Sequence, residues 1–375
     1  MTESQDTLFE LQEIAKHPRR QLEKYLMEGK KVVGCFPIYV PEEIIHAAGF
    51  IPMGMWGGQI TPTVAGKYNP IFTCSIMRSC LEFGMMGTYQ GLSCVAMPIL
   101  CDTFRGMSSG WRAGVKDIPI ATLIQPQNRT DPGAREFLVA EYEEFAKTLA
   151  SLTDSVVPSE DALQKSIEIY NAHSNIMMEF TCIANEHLDV ITPVLRHAVM
   201  KSALMMPKEE HTLKVQTIIT ELKKQPQHRW KGKKVILTGI TAEPDEFLTM
   251  FSENNIAVVG DDLAQESRLY RTPIPSGKNA MERLAGQWFG RHGCSVVHET
   301  HFTRGKMLVD MARKFKAEGI AVCLMRFCDV EEYDYPLIAK DAEAAKLYCL
   351  CLEIDQSTQN NEQSRTKLQS FAEME

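Results

Sequence analysis

The chain has 375 residues, a formal net charge of −8 and a pI near 5.8, and such a composition does not favour a nucleic-acid-binding surface. Its acidic N-terminus (MTESQD) is unlike a secretory signal, and no apolar stretch reaches the roughly 18 residues of a membrane helix. Eleven cysteines without a signal peptide indicate a reducing cytoplasm, where thiols bind metals or fill cores. We expect a soluble cytoplasmic protein of two to three domains.

The first part of the chain alternates predicted strands and helices. An N-terminal helical segment is expected over residues 1–30, followed by a first α/β domain over residues 31–155. Strands are predicted near 31–36, 50–55, 93–97 and 118–123, and helices near 41–48, 74–87, 104–115 and 132–151. This βαβ series predicts a mainly parallel sheet covered on both faces.

Residues 156–228 change to a helical periodicity, and we expect them to form a helical connector. A second α/β domain is predicted over residues 229–375. Its strands are expected near 234–238, 256–259, 320–325 and 348–354, and its helices near 243–254, 277–291, 304–317, 331–345 and 362–375. The predicted fold class is α/β, with two doubly wound, mainly parallel, Rossmann-like domains joined by a helical segment.

Two nucleotide-binding motifs are absent from the sequence. The strand near 234–238 is followed by Gly239, but no GxGxxG pattern begins there, and no Walker A loop occurs anywhere. Dinucleotide or ATP binding by this chain is therefore disfavoured.

Three cysteines stand at predicted element boundaries. Cys101 and Cys328 each follow a buried strand and precede an aspartate and a helix, and Cys74 begins the helix near 74–87. Open α/β sheets bind ligands beyond the carboxyl ends of their strands, and a helix N-terminus stabilises a thiolate. Three thiols that converge there suggest an iron–sulfur cluster with one position left open.

Any one of these cysteines, taken alone, is more often a small core residue than a ligand. We apply that interpretation to Cys94, Cys182, Cys294, Cys323, Cys349 and Cys351, while Cys35 is ambiguous. Cys80 competes with Cys74, but in one helix the two lie about 9 Å apart along the axis and about 240° apart in rotation, which is poorly suited to one compact cluster. No CxxC pair marks a zinc ribbon or a ferredoxin site.

The acidic run at residues 329–336 has two interpretations. It could supply catalytic carboxylates, but acids after a strand more often mark a helix N-terminus, where the dipole favours them. His46, His197 and His211 stand singly in helical segments, and nothing in the sequence marks them as bases.

Seven short segments are highly specific in combination. They are GCFP at 34–37, PEEIIHAAG at 41–49, MWGG at 55–58, CDT at 101–103, QPQ at 125–127, DDLAQESR at 261–268 and FCDVEE at 327–332. Together they resemble the 2-hydroxyacyl-CoA dehydratase family, from about residue 10 to the C-terminus. The likeness is greatest to its smaller, beta subunits, which act on 2-hydroxyisocaproyl-, phenyllactyl- or 2-hydroxyglutaryl-CoA.

The resemblance implies a lyase that dehydrates (R)-2-hydroxyacyl-CoA to (E)-2-enoyl-CoA in amino-acid-fermenting anaerobes. A separate ATP-hydrolysing iron–sulfur activator protein supplies a low-potential electron, and the resulting ketyl radical of the thioester expels hydroxide. The resemblance also implies a heterodimer with an alpha-type partner subunit. Each subunit holds a [4Fe–4S] cluster by three cysteines, which match Cys74, Cys101 and Cys328 here.

The resemblance also bears on which subunit this is. Alpha-type subunits carry serines near the first strand, and residues 36–40 (FPIYV) contain none, which favours the beta type. We expect its cluster to relay electrons to the partner's active cluster or to support it. The alternatives are a non-catalytic iron–sulfur or zinc protein, such as an electron carrier or assembly factor, and a subunit of a benzoyl-CoA reductase-like enzyme.

Overall fold

The computed structural model describes residues 3–356 and 361–374. Strands β1 to β8 are Val32–Cys35, Ile51–Gly54, Cys94–Pro98, Ile120–Leu123, Lys233–Gly239, Ile256–Leu263, Gly319–Met325 and Tyr348–Ile354. They form two four-stranded sheets, in the order β2-β1-β3-β4 and β6-β5-β7-β8, and each pair of neighbours is parallel. We call these the first and second sheets, and they confirm the predicted α/β fold class.

Helices flank both sheets. Helices α1 to α15 are Glu3–Lys16, Pro18–Met27, Glu42–Ala47, Ser75–Met85, Asp102–Gly114, Ala134–Thr153, Glu160–Ala184, Pro193–Ser202, Lys208–Leu222, Asp245–Glu253, Ser267–Tyr270, Ala280–Gly290, Arg304–Phe315, Asp329–Ala344 and Glu362–Glu373. Leu8 and Leu11 of α1 belong to one apolar cluster with Phe180 of α7 and Ile218 of α9. Within the described residues, no helix has the length and apolar character needed to span a membrane.

The second strand of the second sheet is longer than predicted. The sequence indicated an end near residue 259, because acids are rare in buried strands. Strand β6 instead continues to Leu263, and all eight of its residues are buried. Asp261 and Asp262 are tolerated there because buried arginines pair with both carboxylates.

The two sheets share one region of core. A single apolar cluster contains Val33 of the first sheet and Met325 of the second. Polar contacts also cross between the halves. The Nε2 of Gln127 donates to the carbonyl of Val296 at 3.3 Å, and the indole of Trp288 donates to the carbonyl of Pro126 at 3.1 Å. The carboxyl ends of both sheets therefore face a common region.

Candidate functional site

Three cysteines lie at the N-termini of three helices in this common region. Cys74 is the N-cap of α4, Cys101 is the N-cap of α5 and Cys328 is the N-cap of α14. Cys101 and Cys328 stand three residues beyond the ends of β3 and β7. All three are half-buried and pack against the same apolar core. The helices predicted to begin near residues 74, 104 and 331 thus begin at Ser75, Asp102 and Asp329, directly after the three cysteines.

Backbone amides lie near the Cys74 thiol. Burial raises the pKa of Cys74 to about 12, and the nearby backbone N–H groups of Met77 and Ile76 act against that rise. These N–H groups belong to the first turn of α4, where they have no partner within the helix, and the Cys74 side chain itself makes no capping hydrogen bond. A thiolate at this position therefore has amide groups close by, but it needs a further positive charge to offset its desolvation.

The other two thiols repeat this environment. Burial raises the pKa of Cys101, while the backbone N–H groups of Phe104 and Thr103 lower it. Burial also raises the pKa of Cys328 well above its usual value, and Glu331 contributes both an opposing backbone N–H and a carboxylate that adds to the rise. Each thiol thus lies at a helix N-terminus near backbone N–H groups, although none of the three side chains makes a capping hydrogen bond.

The three thiols lie close enough to interact electrostatically. Charge on Cys101 raises the pKa of Cys74, and charge on Cys74 and Cys101 raises the pKa of Cys328. The fold therefore brings together cysteines that are far apart in sequence. Among residues 3–356 and 361–374, no three His, Cys, Asp or Glu side chains form a group that could hold a single metal ion.

The remaining cysteines fall into two classes. Cys80 is fully buried, with its Sγ 3.4 Å from the carbonyl of Met55, and Cys35 is also buried. Cys94, Cys294 and Cys323 are buried as expected. The expectation of core positions is wrong for Cys182, which lies exposed on α7, and for Cys349 and Cys351, which are half-buried because β8 is an edge strand.

A buried network of ion pairs lies behind Cys328. Asp262 accepts hydrogen bonds from Arg268 at 3.1 Å and Arg304 at 2.9 Å. The same two arginines bind Glu331 at 3.1 Å and 2.8 Å. All four side chains are at most 1% exposed. Because Glu331 lies in the first turn of α14, this network holds the helix that begins at Cys328.

The network decides between the two interpretations of the acidic run. Burial disfavours the charged form of Glu331, but Arg304 and Arg268 outweigh that effect and hold its pKa below the usual value. Asp334 also binds Arg304, at 2.9 Å. Both carboxylates are engaged in structural ion pairs, so the helix N-terminus interpretation is the better one.

The space beyond β1 is largely filled by Tyr39. Its ring lies 3.8 Å below the guanidinium of Arg291 and edge-on to Trp288, and its hydroxyl is 3.1 Å from the Sγ of Cys294. The Nε2 of Gln125 donates to the Tyr39 carbonyl at 2.7 Å. The cavity that remains has a volume of about 80 Å³. Small-molecule pockets usually measure about 300–1,000 Å³.

The three histidines singled out in the sequence lie apart from the thiols and have partners of their own. His46 contacts Ser166 and Glu209. His211 contacts the buried His173 at 3.0 Å. The remaining histidine, His197, lies between two carboxylates in the interior.

Several site residues were not identified from the sequence. Arg268 lies within the DDLAQESR segment, and no local pattern marks Arg304 or Gln356. Two aspartates at the end of a buried strand, followed six residues later by an arginine, are a signal of a buried ion pair. The partner across the sheet, Arg304, has no comparable local signal, because its contacts are far away in sequence.

Comparison with known proteins places the chain in a family. The family model for 2-hydroxyglutaryl-CoA dehydratase, D-component, matches residues 37–374, and the chain belongs to this family. It is 41% identical to the lactoyl-CoA dehydratase subunit beta of Anaerotignum propionicum and 38% identical to the (R)-phenyllactyl-CoA dehydratase beta subunit of Clostridium sporogenes, over the full length of each chain. It is 34% identical to the (R)-2-hydroxyglutaryl-CoA dehydratase, subunit beta, of Acidaminococcus fermentans, over 97% of both chains. The predicted resemblance is confirmed.

Proposed function

We propose that this chain is the beta subunit of an (R)-2-hydroxyacyl-CoA dehydratase and that Cys74, Cys101 and Cys328 hold a [4Fe–4S] cluster. The observation that carries the proposal is that three cysteines at helix N-cap positions converge in a chain whose relatives are dehydratase beta subunits along their whole length. The proposal includes a cytoplasmic location and a two-domain division near residues 31–155 and 229–375.

The donor set suits an iron–sulfur cluster. Clusters are held by cysteine thiolates, and hydrogen bonds to the sulfurs together with burial tune their potentials. Such a cluster would supply one-electron chemistry. The residues of this chain would supply three thiolates, the amide donors of three helix N-termini and an apolar surrounding. A cluster binds each thiolate through a different iron, so the proposal does not require the compact ligand group of a single ion.

The region beyond β1 supports a role without direct substrate contact. Tyr39 occupies the cavity, and the remaining volume of about 80 Å³ is too small for an acyl thioester. A second cavity of about 500 Å³, lined by Gly57, Phe83 and Gln356 among others, is larger, so the relay or supporting role applies to the region beyond β1. We assign the reaction of the acyl group to an alpha-type partner. A separate activator protein would use ATP, because this chain has no Walker A loop.

The test of ligation is a set of four single variants reconstituted with iron and sulfide without oxygen. Cys74→Ala, Cys101→Ala and Cys328→Ala should each lose most of the bound iron and the broad absorbance near 400 nm, because two thiolates are too few. Cys80→Ala is the matched control, since Cys80 lies about 1.7 turns along the same helix in the core, and it should keep the iron. Iron retained in Cys74→Ala and lost in Cys80→Ala would contradict the assignment.

The test of activity uses the heterodimer with activator, a strong reductant and MgATP. Because the net dehydration is redox-neutral, one priming event should support many turnovers until air oxidises the clusters. We expect much less than one ATP hydrolysed per enoyl-CoA formed at steady state. A fixed ratio of ATP to product would indicate a benzoyl-CoA reductase-like enzyme, and turnover by this chain without a partner would contradict the subunit assignment.

A further inference from the structure

The three thiols come from two halves of the molecule. Cys74 and Cys101 belong to helices that flank the first sheet, and Cys328 follows β7 of the second sheet. The spacing of Cys74 and Cys101 is therefore internal to one half. The spacing of either one from Cys328 depends on how the two halves are aligned.

One side chain of the second half contacts the helix that begins at Cys74. Gln356 follows β8 and is 3% exposed. Its backbone N–H donates to the hydroxyl of Ser75 at 3.2 Å, and its Oε1 accepts from the hydroxyl of Ser79 at 3.1 Å. Its Nε2 donates to the carbonyl of Trp56 at 3.0 Å. Ser75 is the residue immediately after Cys74, so the contact lies directly beside the thiol.

The neighbouring backbone is shaped to admit this contact. Gly57 has a φ of +69°, and a Cβ added there would lie 2.0 Å from the Ser79 hydroxyl and 2.8 Å from the Gln356 Oε1. A side chain at this position would occupy the space in which Ser79 and Gln356 meet. The Gly57 backbone, the Ser79 hydroxyl and the Gln356 amide are therefore in close contact where the two halves meet.

We infer that Gln356 is a positioning residue that aligns Cys74 with Cys328. It acts through Ser75, Ser79 and Trp56, and it touches no thiol in these contacts. In the second half, the ion pairs of Glu331 hold the helix that begins at Cys328. Gln356 then sets the position of α4 relative to this half of the molecule. The importance of this alignment for binding a cluster rests on the proposed function. The alignment itself rests on the contacts of Gln356.

The experiment measures cross-linking rates between thiol pairs in the full-length, reduced, metal-free chain. A short bifunctional bromobimane is added, and peptide mass spectrometry follows the Cys74–Cys328 and Cys74–Cys101 products. The two pairs share Cys74, so the second pair reports the reactivity of that thiol independently of the alignment. The test variant is Gln356→Met, which keeps the side-chain length and removes both of its polar contacts.

Loss of two buried side-chain hydrogen bonds should reduce the Cys74–Cys328 rate roughly tenfold and leave the Cys74–Cys101 rate within about twofold. Gln356→Glu keeps an acceptor for Ser79 and should give an intermediate rate. Ser79→Ala removes the same contact from the other side and should slow the reaction about threefold. This second variant decides the matter if Gln356→Met does not fold.

Asn171→Ala is the control for loss of two polar side-chain contacts. The half-buried Asn171 makes two hydrogen bonds of 2.9 Å with the backbone of Ile274 and none with α4, and its loss should alter neither cross-linking rate. Equal slowing of both pairs in Gln356→Met, no slowing, or no Cys74–Cys328 product from the wild-type chain would overturn the inference. Selective slowing in a chain whose wild type binds no iron would support the alignment and refute the proposed cluster.

Discussion

Asp262→Asn should strongly destabilise the chain. The Asp262 side chain is completely buried and accepts hydrogen bonds from Thr238 at 2.8 Å, Arg304 at 2.9 Å and Arg268 at 3.1 Å, with a further contact from Arg271. Asparagine keeps the shape and removes the negative charge. Arg268 and Arg304 would then share the Glu331 carboxylate as their buried counter-charge, with Asp334 at the margin.

The magnitude follows from the burial of the arginines. Removal of one partner of a buried ion pair costs about 3–5 kcal/mol, because the remaining charge stays desolvated. The entropy of unfolding is about 2.1 cal/mol/K per residue, so a loss near 4 kcal/mol lowers the melting temperature of the whole chain by about 5 °C. Calorimetry of the reduced, metal-free chain without oxygen measures this shift.

Asp334→Asn is the control for this prediction. Asp334 binds the same arginine, Arg304, at 2.9 Å, but its side chain is 20% exposed and lies at the edge of the network. Its replacement should cost no more than about 1 kcal/mol, as for other partly exposed pairs. Equal losses in the two variants, or a loss under about 1 kcal/mol in Asp262→Asn, would refute the reasoning from burial.

The pH dependence gives the same network a second test. Burial disfavours the charged form of Asp262, but Arg268, Arg271 and Arg304 outweigh that effect and hold its pKa far below the usual value. A lowered carboxyl pKa means that the stabilisation is present above the unfolded pKa, near 3.9, and is lost as the pH falls below it. The wild-type chain should therefore lose more stability than Asp262→Asn between pH 5 and pH 2.5, measured by urea unfolding.

Two further predictions concern buried groups elsewhere. Burial lowers the pKa of His197, but Glu243 and Glu266 outweigh it and raise the pKa to about 9, so the ion pairs stabilise the fold at pH 6.5 and are lost as the pH rises through 9. The melting temperature of His197→Gln should therefore fall less between pH 6.5 and 9.5 than that of the wild-type chain. Gly57→Ala should cost at least about 2 kcal/mol in urea unfolding, since the φ of +69° and the contact with Ser79 both oppose a Cβ. Gly66→Ala, with open space around it, should stay within about 0.5 kcal/mol.

The sheets were predictable because parallel strands are buried on both faces and appear as continuous apolar runs. The strand predicted at 348–354 is observed as Tyr348–Ile354, and the one at 320–325 as Gly319–Met325. The error at β6 has a definite cause. Asp261 and Asp262 extend the strand only because Arg196 on α8 and Arg304 on α13 neutralise them, and such distant pairing leaves no periodic signal.

The candidate site was predictable only in part. A helix start has local signals, so the N-cap positions of Cys74, Cys101 and Cys328 could be inferred from their neighbours. The alignment of the two halves has no such signal, because Gln356 acts on a serine 281 positions earlier in the chain. Contacts of this kind depend on tertiary packing, which the local sequence does not reveal.

The charged groups behind Cys328 hold α14 and together carry no net formal charge. The network behind Cys328 contains three carboxylates and three guanidinium groups, and its formal charge is therefore zero: Asp262, Glu331, Asp334, Arg268, Arg271 and Arg304. The thiols themselves are offset by backbone amides and, at Cys74, by the charge of Arg78. A cation bound by Cys74, Cys101 and Cys328 would add positive charge at this site. Because Arg304 binds Glu331 and Asp334 of α14, Arg304→Met should loosen the helix start that carries Cys328 and weaken retention of such a cation more than Arg313→Met, where the arginine lies on the same helix α13 but is exposed and pairs with Asp310.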